Sequence, residues 1–114
     1  MVSLMLLTAC GQQHQAEGII EDFLDANLVN SDFRVDYGKL GTTRKLDDHR
    51  LGQMQKASTT DKLFKHPIRY GAYKELGELL YLKTTIIQET DTFVRTIYLH
   101  PELSEDGVMA IKEN

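Results

Sequence analysis

Residues 79–100 read LLYLKTTIIQETDTFVRTIYLH. The runs Leu79 to Gln88 and Thr92 to His100 are rich in β-branched and aromatic residues, with a polar turn, Glu89 to Asp91, between them, which is the pattern of a β-hairpin. With the turn centred on Thr90 and Asp91, Leu82 comes opposite Leu99. Alternation then gathers Leu80, Leu82 and Ile86 with Phe93, Ile97 and Leu99 on one face. That apolar face is the expected core. The other face carries Leu79, Tyr81, Lys83, Thr85 and Ile87 beside Val94, Thr96, Tyr98 and His100, a mixture that is neither clean core nor clean solvent face.

Upstream of the hairpin, residues 16–28 read AEGIIEDFLDANL. Ala16, Ile19, Ile20, Phe23, Leu24 and Leu28 follow the i, i+3, i+4, i+7, i+8 spacing of an amphipathic helix, with Glu17, Glu21, Asp22 and Asp25 off the stripe. This helix should cover the hairpin's apolar face, and the acidic residues in its expected first turns would complement the helix dipole. Asn30-Ser31-Asp32 ends it. Phe33, Val35 and Tyr37 then alternate with Arg34 and Asp36 as a half-buried strand, with Gly38 and Gly41 bracketing its end. A second, short helix is predicted over Asp47–Ala57, with Asp47 as N-cap, although Gly52 inside it costs about 1 kcal/mol relative to Ala. Ser58 to Gly77 has no clean period and reads as a loop with a helical turn near Asp61 to Lys65. Past Pro101 and a turn closed by Gly107, Val108 to Lys112 reads as a further strand. The sum is an α+β domain: an N-terminal amphipathic helix packed on a small antiparallel sheet of about four strands, plus a second short helix.

The whole chain has 114 residues, enough for one domain and too few for a Rossmann or TIM-barrel enzyme. Its 17 acidic and 13 basic residues give a formal charge of −4, so no general basic field invites nucleic acid. No GxGxxG, P-loop, GxSxG, CxxC or EF-hand pattern is present, and no cofactor is expected. His14, His49, His66 and His100 offer imidazoles, and Asp47-Asp48-His49 sets two carboxylates beside one of them. Neighbours on a helix diverge by about 100°, whereas helical metal ligands need i, i+3 or i+4 spacing, so this triplet reads as a helix start and no metal site is expected.

The N-terminus is of a different kind. Met1 to Ala9 is uncharged and mostly apolar, far short of the roughly 20 residues that span a bilayer but within the 7 to 15 expected of a signal's apolar region. The stretch Leu7-Thr8-Ala9-Cys10 resembles the lipobox of bacterial lipoproteins. The resemblance implies a signal peptide over 1–9, acylation of Cys10 by palmitate-like chains, a lipidated cysteine and polar tether over 10–15, and one domain over 16–114. By the same resemblance, Gly11 after the cysteine and no acidic run following it imply the periplasmic face of an outer membrane. A signal normally opens with Lys or Arg and none precedes Cys10, which would place the true start upstream of Met1. The other reading of the same residues is a buried N-terminal strand or helical turn with Cys10 as a small core residue. A nucleophilic cysteine would need a histidine partner that nothing local supplies.

The element order from Ala16 to Asn114 is similar to the cystatin-like and nuclear-transport-factor-2-like architectures, in which a helix lies across a curved sheet. That likeness implies a layout and no activity. The expected role is that of a lipid-anchored cell-envelope protein with a non-catalytic binding or accessory function. Its ligand or partner face would be the stripe containing Tyr81, Lys83, Tyr98 and His100. The alternative is a small pocket enzyme of nuclear-transport-factor-2-like type, with His100 or a nearby carboxylate, Asp36 or Glu102, as general base.

Overall fold

The computed structural model of the chain describes residues 2–44, 46–71, 78–103 and 107–114, with the backbone alone over 2–10. It is α+β. Helix α1 (Val2–Asn27) is followed by strands β1 (Arg34–Tyr37) and β2 (Gly41–Thr42), helix α2 (Asp48–Ala57), a 3-10 turn (Ser58–Thr60), and strands β3 (Leu80–Gln88), β4 (Asp91–Leu99) and β5 (Val108–Glu113). All pairings are antiparallel, in the order β1-β3-β4-β5, with β2 also on β3.

Helix α1 buries Ala16, Ile20 and Leu24, one residue per turn, with Leu28 just past its end continuing the row, against Leu82, Ile86, Ile97 and Leu99 of the sheet, as the stripe and the hairpin alternation require. Ile19 and Phe23 flank this row half-buried, and Phe23 meets Phe64 at 6.0 Å between ring centres. The helix starts far upstream of Ala16. Residues 12–15, expected as a tether without period, are helical: glutamine is a good helix former, and two of these glutamines are fastened to the fold. Gln13 donates to Gly38 O and accepts from Leu40 N, and Gln15 donates to Leu103 O. The earlier start also relocates Glu17, Glu21, Asp22 and Asp25. They occupy the middle and C-terminal half of α1, where the dipole gives carboxylates no support and opposes those near the end.

The hairpin forms with its loop at Glu89-Thr90, one residue earlier than expected, and Leu82 faces Ile97 instead of Leu99. Sliding a two-residue loop by one position moves the pairing by two residues. Because the side-chain period is also two, every residue keeps its face. Glu89 takes the loop's left-handed position (φ 54°).

Strand β1 pairs with β3, so the sheet's edge strand is an early segment beside a late one. Helix α2 begins one residue after Asp47, whose carboxylate caps Arg50 N at 2.8 Å. It packs Leu51 and Met54 on Leu79, Tyr98, Met109 and Ala110, a small second cluster on the other side of the sheet. A 3-10 turn at Ser58–Thr60 precedes the turn expected near Asp61 to Lys65, where Phe64 N donates to Asp61 O at 3.4 Å and Leu63 and Phe64 enter the main core. Residues 72–77 of that expected loop lie outside the described residues.

One inward position of the hairpin is charged. Arg95 is 7% exposed, and its guanidinium meets Asp61 through Nε at 2.8 Å and Nη2 at 3.1 Å, while Nη1 donates to Val94 O. The second carboxylate, Glu113 at 3.3 Å, is largely exposed. A two-pronged pair of this kind satisfies a cation that the apolar face would otherwise strand.

Candidate functional site

Between α1 and the edge strand lies a groove of about 660 Å³. Its helix wall is Glu17, Glu21 and Asp25, spaced four residues apart and so on one flank of α1. Its other wall is β1 with the turn before it, including Asp32, Arg34 and Asp36. The two walls are tied at one end. The Tyr37 hydroxyl donates to Glu17 O at 3.2 Å, and Gln13 Nε2 reaches both the Glu17 carboxylate at 2.8 Å and Gly38 O at 3.0 Å.

Glu17, Glu21, Asp25 and Asp32 bring carboxylates to the groove, whereas Arg34 and Asp36, alternating with Val35 and Tyr37, carry their side chains on the face of β1 away from α1. The field reaches Tyr37, whose hydroxyl is pushed well above the ordinary tyrosine range, first by burial and then by Glu21, Glu17 and Asp25.

The groove also exposes main chain. Gly38 N donates to Lys83 O at 2.8 Å. In an antiparallel ladder that bond sets the alternation, so Arg34 and Asp36 turn their N–H and C=O groups toward β3, as Gly38 does its N–H. Val35 and Tyr37 turn theirs away from β3, toward the outer edge. Among the described residues no strand lies beyond that edge.

The four residues expected to form a ligand face do not converge. Tyr81 and Tyr98 are cross-strand neighbours with ring centres 6.3 Å apart. Gly41 sits so close over the Tyr81 ring that a Cβ there would lie 2.5 Å from Cζ, and Tyr98 packs against the α2 cluster. Burial raises the Tyr98 hydroxyl above its ordinary value, with Arg50 pulling the other way. Lys83 is exposed in the next row, opposite Thr96. His100 lies past the end of β4, buried in a turn, where Nδ1 accepts from Glu102 N at 3.1 Å and its carbonyl accepts from Leu103 N. Asp36 aligns through Thr85 with Val94, six residues back along β4, which sets it roughly 20 Å from His100. The side chain of Cys10 lies outside the described residues.

A second concavity, a cleft of about 630 Å³ beside α2, contains Ser58, His66 and Tyr70. Ser58 Oγ donates to Gln55 O, so the Tyr70 hydroxyl is the donor in the bond between the two. His66 Nε2 lies 2.7 Å from Asp61 O; a carbonyl only accepts, so that nitrogen carries the proton. Among the described residues, neither hydroxyl is hydrogen-bonded to a histidine.

The groove was open to sequence reading only in part. The Glu17, Glu21, Asp25 spacing was visible as the polar side of α1, but only the non-sequential pairing of β1 with β3 shows which strand lies beneath it. No family model, curated protein or solved structure matches the chain.

Proposed function

We propose that this chain is a lipid-anchored cell-envelope domain with a non-catalytic binding or accessory role, attached through Cys10 to the periplasmic face of an outer membrane. The observation that carries the reading is Leu7-Thr8-Ala9-Cys10 after an uncharged apolar run. A binding role is supported by the groove between α1 and β1, which offers charge and open main chain. The rival pocket enzyme has less support, since His100 Nδ1 is engaged by a backbone N–H and Asp36 is remote from it. Thiol acylation at Cys10 would place the protein on the membrane without a spanning helix, and no helix among the described residues is long and apolar enough to cross one. The test is metabolic labelling of cells with an alkynyl palmitate, comparing wild type with Cys10→Ala. Label and membrane association that vanish in the variant are expected; equal, unlabelled soluble material from both overturns the anchor.

A further inference from the structure

We infer that the groove between α1 and β1 binds an extended basic segment of a partner protein, added as a further strand on β1 with its alternate Lys or Arg side chains against α1. The inference rests on the binding half of the proposed function and is independent of the lipid.

The acidic flank alone would be no more than a solvated surface. What gives it direction is the main-chain edge in the same groove. Val35 and Tyr37 present outward N–H and C=O groups along a strand of four residues, about 13 Å long, and unpaired edges are templates for another chain. The side chains of an added strand alternate, and those on the core side of the sheet meet the flank of α1. There the two periods agree. Successive carboxylates at Glu17, Glu21 and Asp25 are about 6 Å apart along the helix axis, and every second residue of a strand is about 6.7 Å apart. A cation at every second position of the guest therefore finds one carboxylate each, over about 12 Å of helix. Asp32 adds to the same field, and Arg34 is the one cation among the described lining residues, carried on the face of β1 away from α1.

Stability gives no reason for this arrangement. The three helix carboxylates lie where the α1 dipole does not favour them, and among the described residues none of them forms an ion pair. A second copy of this chain is a poor guest, because joining two β1 edges would bring two negative grooves together.

The test uses the blocked heptapeptide Lys-Val-Lys-Val-Lys-Val-Lys and amide NMR of the intact protein at low salt. Expected are saturable shifts along β1 and the α1 flank, with slowed exchange of the Val35 and Tyr37 amides. Glu21→Gln and Asp25→Asn, both at exposed positions, should each weaken binding about two- to five-fold, and salt should weaken it further. N-methylation of alternate peptide amides separates strand pairing from charge without altering the protein. On the set that faces β1 it should cost about tenfold or more; on the other set, little.

Equal binding by a peptide of the same composition with its lysines clustered, or by both N-methylated sets, would reduce the groove to a charge patch and overturn the inference. So would no binding by any of them, or a dimer through β1 that excludes the peptide. Acylation of Cys10 is read separately by the palmitate label, so either conclusion can fail without the other.

Discussion

Removing the carboxylate of Asp61 by Asp61→Ala strands Arg95 in the edge of the core. Asp61 accepts from Nε at 2.8 Å and Nη2 at 3.1 Å, and also from Leu63 N at 3.2 Å. The side chains of the two ions are 8% and 5% exposed, so water replaces little of what is lost. Breaking a buried pair from one side costs about 3–5 kcal/mol. Glu113 stays at 3.3 Å and is 65% exposed, so it returns part of the interaction in a screened setting, which places the expected loss near the lower limit, about 3 kcal/mol. For a domain of this size, a urea slope of about 1.5 kcal/mol/M turns that into a midpoint lowered by about 2 M. The assay is urea unfolding followed by circular dichroism on wild type, Asp61→Ala, Arg95→Met and the double variant. The double variant should recover much of the loss, since apolar replacement of both partners leaves no stranded charge. A loss below about 1 kcal/mol in Asp61→Ala, or a double variant as weak as the sum of the singles, would refute the reasoning.

Gly41→Ala should destabilise by about 1–3 kcal/mol, because its Cβ would lie 2.5 Å from the Tyr81 ring; a thermal melt measures this, and adding Tyr81→Ala should remove most of the penalty. Tyr37 ionises later in the folded protein than in the unfolded chain. Its contribution is therefore complete below about pH 10, the unfolded value, and is lost as pH rises beyond it. Stability measured from pH 8 to 11 should fall less steeply in Tyr37→Phe than in wild type, and parallel curves would contradict the placement of that hydroxyl.

What could be read from the sequence is what repeats with a local period. Ala16, Ile20, Leu24 and Leu28 announce a helix face, and Leu82, Ile86, Ile97 and Leu99 announce a strand face. The latter survived a displaced loop because parity is insensitive to a shift of two. Asp47 as N-cap is equally local. What could not be read depends on distant partners. The polar run Gln12 to Gln15 has no apolar period, and its helical state is sustained by Gly38, Leu40 and Leu103 across the fold. Arg95 carries no local signal of its role, since its partner lies 34 residues earlier in a stretch lacking any pattern. The stripe of Tyr81, Lys83, Tyr98 and His100 was assembled by alternation alone. Alternation does not reveal that Gly41 covers one ring, α2 packs on another and a turn absorbs the imidazole. The groove needed both kinds of information, a local acidic spacing and a long-range strand order.

The continuity of α1 through Gln13 and Gln15 has a mechanical meaning for a chain held at Cys10. Three residues of helix, about 4.5 Å, separate that cysteine from a glutamine bonded to the sheet side of the fold. Such a mooring has no slack: an acylated Cys10 would hold the domain upright and close, with Gly38 to Leu40 facing the lipid. The β3–β4 loop would then stand about 26 Å farther out, and a strand entering along β1 would approach at a fixed angle to the bilayer.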